Sequence, residues 1–199
     1  EHVCLVSVEI LASCKGKLLP DPLTDVVSTI VYTAYTRDLG MVHGVITWQD
    51  IEVPLQLEFN CVDVIKVSDE EAMFLALIAI INDQYDADIL LGYDIQRASF
   101  GYLEERAKYA YGFDLASKLS RRKFSQTNQR APTEKSLKDN WFERKTSVFQ
   151  VFGRITLNVW RVMKSELDLL DYSFEAVYKH VFARHQPKYH PYQLLKMPF

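Results

Sequence analysis

The chain has 199 residues, which suits one domain that buries a full core without disulfide or metal staples. Hydrophobic residues make up 48% and charged residues 25%, so disordered, collagen-like and coiled-coil readings are excluded. The net charge of −3 excludes a uniformly basic nucleic-acid binder, though not a local basic patch.

The predicted elements begin with residues 3–11 (VCLVSVEIL), nearly all apolar and rich in β-branched types, which suits a central strand covered on both faces. Leu19-Pro20-Asp21-Pro22 is loop chemistry, because two prolines so close disfavour helix and strand alike. Residues 25–35 read as a long strand, residues 37–40 as a turn, and residues 41–48 and 51–59 as further strands. These first sixty residues resemble an antiparallel meander built onto one central strand. Ser68 is placed to cap a helix, with Glu71 completing a capping box, and Met73, Phe74, Leu77, Ile80 and Ile81 form its apolar stripe. The longest apolar run, residues 72–81, is ten long, short of the roughly 18 that span a membrane.

Residues 88–93 read as a short buried strand. A helix comes next, with Ser99 as its cap and Phe100, Leu103 and Ala107 on one face. Residues 114–150 are polar, basic and weakly periodic, the pattern of an insertion or mobile loop. Within them, residues 121–147 carry eight basic side chains and three acids, so this stretch is +5 and the remainder −8. Residues 154–159 read as a strand, 160–169 as a helix, and Ser173 as the cap of a last helix reaching about residue 184.

Several chemistries lack their motif. Neither G-x-G-x-x-G nor a P-loop occurs, and there is no G-x-S-x-G elbow and no H-E-x-x-H. His180, His185 and His190 are spaced by five, which does not place them on one helical face. The N-terminus shows no signal-peptide pattern, since Glu9 interrupts its apolar stretch. Cys4, Cys14 and Cys61 form no C-x-x-C and are odd in number, which favours free thiols in a reducing compartment.

The order of elements predicts a mixed α/β sheet of five strands with helices on its faces, the layout of the ribonuclease-H-like, 3′–5′ exonuclease-like fold. Three stretches carry a resemblance: residues 5–10; residues 88–107 (DILLGYDIQRASFGYLEERA); and residues 153–177 (GRITLNVWRVMKSELDLLDYSFEAV). Together they resemble the exonuclease region of family B DNA polymerases. Ser7-Val8-Glu9, Leu19-Pro20-Asp21-Pro22 and Phe100-Gly101-Tyr102-Leu103, with the 153–177 block, are similar to that family's translesion members. The resemblance implies that residues 1–199 are one exonuclease-like segment of a longer polymerase chain, with the insertion at about 114–150. It further implies a nuclear, DNA-processing protein that meets a DNA template–primer and polymerase accessory subunits, and no membrane. Mg²⁺ is implied only in the polymerase part of the parent chain, and no cofactor in this segment.

Exonucleases of this class use two divalent ions clamped about 3.5–4 Å apart. Four carboxylates supply the anionic oxygens that such hard cations require. A D-x-E pair on a strand aims two of them to one side, because alternate residues share a face. On the resemblance, Ser7 replaces the aspartate of that pair and Glu9 keeps the glutamate. Ser99 stands at the second aspartate position, and Asp94 at a neighbouring asparagine. The fourth acid, from a Tyr-x-x-x-Asp motif, has no match in these residues. The nominal site charge falls from −4 to −1, or −2 with Asp94, so a vestigial nuclease site without catalytic or metal-binding residues is expected. Local chemistry leaves other readings open: Ser99 as an ordinary cap, Glu9 in a structural ion pair, Asp94 as a turn former. Arg121, Arg122 and Lys123 are candidates for phosphate contacts. Two functions compete with an inactive structural domain: an active metal-dependent 3′–5′ exonuclease using Glu9 and Asp94, and a free-standing nucleic-acid-binding module.

Overall fold

The β-branched run that opens the chain forms β1 (Leu5–Ala12), and β2 (Val27–Thr36) and β3 (Gly40–Thr47) extend the sheet from it as antiparallel neighbours. This arrangement is seen in a computed structural model that describes residues 3–16, 18–49, 62–121 and 149–187. The predicted strand over residues 51–59 lies outside the described residues. The next strand, β4 (Val62–Lys66), runs parallel to β3 rather than continuing the meander. After α1 (Glu70–Ala79), β5 (Ile89–Gly92) lies parallel to β1, and β6 (Ile155–Asn158) parallel to β5. The sheet therefore has six strands rather than five, in the order β4-β3-β2-β1-β5-β6. Among the described residues the remaining α-helices are α2 (Phe100–Arg106), α3 (Leu115–Leu119), α4 (Val159–Glu166) and α5 (Phe174–Phe182).

Period two decides which side of β1 is packed. Val6, Val8 and Ala12 face the core with Ile30, Tyr32, Ala34 and Ile46 of the neighbouring strands. Met73, Phe74, Leu77, Ile80 and Ile81 of the predicted stripe close over them, as do Phe100, Leu103 and Ala107. The opposite face, which carries Ser7 and Glu9, is only half covered. Val31, Tyr35, Met41, Val64, Ile155 and Leu157 share it by register and remain exposed. The expectation that β1 is covered on both faces is thus met on one side only, and no residue of α4 is buried.

Local chemistry moves one helix start and adds a helix. Asp69, not Ser68, caps α1: its Oδ1 accepts from the Ala72 N–H at 2.8 Å, while Ser68 donates to the other carboxylate oxygen. Glu70, the first residue of the helix, turns inward. Ser173 caps α5 as expected, accepting from the Ala176 N–H. Residues 114–121 are not loop, because Asp114 caps α3 and Leu115 and Leu119 are buried. At the far end of the predicted insertion, Phe149 and Val151 join the core, and Phe149 stacks on Phe100 at 5.3 Å.

Two polar networks fasten this frame. Buried Glu70 accepts from Arg106 Nη2 at 2.9 Å, from the Tyr111 hydroxyl at 2.7 Å and from the Val27 N–H at 2.7 Å. Arg106 Nη1 also reaches the carbonyls of Pro22 and Leu23, which pins the two-proline loop to α2. The second network lies where β5 begins. Arg154, 2% exposed, donates to Asn82, Leu119 and Asp86 and also to the Ala87 carbonyl, while Arg121 pairs with Asp86 and Asp88.

Candidate functional site

The parallel register β1–β5 places Ser7 beside Leu91, so Glu9 and the residues just after Gly92 fall at the same, C-terminal edge of the sheet. In α/β sheets this is the edge where ligands gather. Ser7 and Glu9 share a face, as the S-x-E spacing requires. Glu9 is exposed at the sheet surface, although enough protein surrounds its carboxyl to weaken hydration. Burial therefore pushes its carboxyl up to about 7; the Tyr93 backbone N–H draws it back, and the charge of Asp94 raises it further. The structure thus brings Glu9 and Asp94 together.

Ser99 is placed at the N-cap position of α2 but does not cap. Its hydroxyl donates to the Val8 carbonyl at 2.5 Å, one residue past the end of the β1–β5 register. The side chain is fully buried. It therefore bridges the turn to β1 between Ser7 and Glu9, and its oxygen is committed to the backbone. The Asp94 carbonyl accepts from the N–H groups of Arg97 and Ala98, so the turn reading of this residue is also correct.

The basic candidates lie elsewhere. Arg121 sits beside Asp86 and Asp88 at the opposite edge, and its Nε and Nη2 are taken by their carboxylates at 2.8 and 2.9 Å. The length of β5, Ile89–Gly92, separates Asp88 from the turn that holds Asp94. Arg121 is therefore a fastening group, remote from Glu9. Arg122 and Lys123 lie outside the described residues, as does Cys61; Cys4 and Cys14 are unpaired.

Sequence reasoning did not single out Tyr93. Its N–H serves Glu9, its hydroxyl donates to the Tyr172 carbonyl at 2.8 Å, and its ring meets Phe174 edge-on at 5.2 Å. Backbone donors leave no signature in side-chain identity, although Tyr93 stands within the DILLGYD stretch. Gly101 has a legible reason: a Cβ there would collide with the Gln96 carbonyl.

The donor set can be tested against a pair of divalent ions. One glutamate, one neighbouring aspartate and two serines, one of them bound to backbone, leave too little negative charge. Among the described residues, no group of three or more His, Cys, Asp or Glu side chains could hold a metal ion. The residues present do not fit a two-metal centre. No helix among the described residues is long and apolar enough to cross a membrane.

Comparison with known proteins agrees with this geometry. The chain is 34% identical over 205 residues to the DNA polymerase zeta catalytic subunit of Mus musculus, covering 94% of this chain and 6% of that protein. Against the Schizosaccharomyces pombe subunit it is 31% identical, covering 94% and 13%. A DNA polymerase of Thermococcus gorgonarius is 30% identical over 160 residues, covering 80% of this chain and 17% of the relative. The chain thus spans a small part of the relatives it matches. The family model described as DNA polymerase family B, exonuclease domain, matches residues 4–177, and with strand order, S-x-E face and second-motif turn all in place the chain belongs to that family.

Proposed function

We propose that this chain is the exonuclease-like domain of a zeta-type DNA polymerase and hydrolyses no DNA itself. It serves as a non-catalytic brace for the polymerase core beside the template–primer. One observation carries the reading: serines stand at both family aspartate positions near Glu9, and Ser99 gives its hydroxyl to Val8. Two cations held within a few ångströms repel strongly, and this donor set cannot offset that repulsion.

Absence of proofreading suits translesion synthesis, because a competent nuclease would excise the mismatched ends that such an enzyme must extend. The zeta relatives are named as catalytic subunits, which supports accessory subunits beside the parent chain. That chain would work in DNA replication and repair in the nucleus. Nucleotide transfer is assigned to no residue here.

A gel assay with a mismatched single-stranded 3′ end and Mg²⁺ or Mn²⁺ tests the proposal. The expected result is an unshortened primer. Shortening that disappears in Glu9→Ala would establish an active exonuclease instead.

A further inference from the structure

The Leu19-Pro20-Asp21-Pro22 motif has no part in the nuclease site, yet it walls a cavity of about 550 Å³ at the same edge of the sheet. Ile10 forms part of its floor. Pro20, Pro22, Tyr102 and the turn after β5 also line it. The wall is fixed before anything binds. Proline restricts its backbone, and Arg106 holds the Pro22 and Leu23 carbonyls. Asp25 accepts from the Asp21 N–H at 2.9 Å, and the Tyr102 hydroxyl donates to the Asp25 carbonyl at 2.8 Å. A preformed cleft avoids the ordering cost that weakens binding.

Its charges point to the occupant. Asp94, Glu105 and Arg97 ring the apolar interior, and among the described residues none of the three forms a salt bridge. Two carboxylates thus stand with one guanidinium, and the rim is net negative. Such a rim repels phosphates and attracts a cation. Outside it, Leu18 and Leu19 are 67% and 79% exposed, an apolar lip that a small ligand inside the cavity would leave uncovered.

We propose that this cleft docks a short extended peptide of a protein partner, with one large apolar side chain beside a lysine or arginine. The apolar side chain fills the space between Ile10, Pro20 and Tyr102, and the cation lies against Asp94 and Glu105. This goes beyond the scaffold reading and does not depend on it, since the nuclease gel and the binding assay report separately.

Fluorescence anisotropy with the purified chain tests the proposal. The probes are a fluorescein-labelled Gly-Lys-Leu-Arg-Gly peptide, its Gly-Glu-Leu-Glu-Gly counterpart and a labelled oligothymidylate. The basic peptide should bind saturably, and the acidic peptide and the oligonucleotide should not. Asp94→Asn with Glu105→Gln should weaken the basic peptide about tenfold, the sum of two solvent-screened charge pairs. Leu19→Ser, at an exposed position that should not disturb folding, should weaken it independently by removing the apolar lip. Melting curves check that each variant is folded. Absence of saturable binding at millimolar peptide, equal binding of the acidic probe, tighter binding of the oligonucleotide, or affinity unchanged in all folded variants would each overturn the proposal.

Discussion

Removing the Glu70 carboxylate should be the most damaging single truncation in the polar framework. Glu70 and Arg106 are 4% and 9% exposed, so Glu70→Ala leaves a guanidinium in the core without its counter-charge. Breaking a buried pair from one side costs about 3–5 kcal/mol. The Val27 N–H and the Tyr111 hydroxyl also lose their acceptor, at roughly 1 kcal/mol each where water cannot replace it. Overlap between these losses brings the total to about 5 kcal/mol, or a Tm lower by roughly 10–20 °C for a domain of this size. Urea denaturation followed by circular dichroism measures it. Glu70→Gln, which keeps an acceptor, should fall between wild type and Glu70→Ala. The double variant Glu70→Ala/Arg106→Ala should cost less than the sum of the singles, because it removes the stranded charge. A Glu70→Ala cost below about 1 kcal/mol, or strict additivity, would show that the ion pair does not hold α1, α2 and the proline loop together.

The same contacts set further expectations. Glu9 titrates at about 7 in the folded chain against an ordinary 4.5, so between those values the folded state holds a proton that the unfolded state has released. Stability should therefore fall as pH rises through that window, and Glu9→Gln should flatten the dependence of the urea midpoint; an unchanged slope would refute the shift. Tyr32 is buried and its hydroxyl has no partner among the described residues, so Tyr32→Phe should be neutral or raise stability by up to about 1 kcal/mol in thermal melts.

Much of the frame is legible in the sequence because burial has a period. The apolar stripe from Met73 to Ile81 and the Phe100–Ala107 face stand where spacing puts them. The misplacements concern groups with more than one possible partner. A serine beside an aspartate gives two candidate caps, and only geometry selects Asp69 and sends Glu70 to Arg106. Ser99 is correctly located, but its hydroxyl meets a strand carbonyl distant in sequence instead of its own helix. Leu115, Leu119, Phe149 and Val151 sit in polar surroundings too short to show a period, so their burial was hidden inside the apparent insertion. The Glu9–Asp94 approach depends on parallel register across a crossover, which no local pattern encodes.

The parallel strands give this domain a polarity with a consequence for change over time. The ion pairs from Arg121 to Asp86 and Asp88, and from Arg154 to Asp86, occupy the edge where β5 begins. Glu9, Asp94 and Ser99 occupy the edge where it ends. Side chains can therefore change at one rim while the clasp at the other goes on holding the architecture.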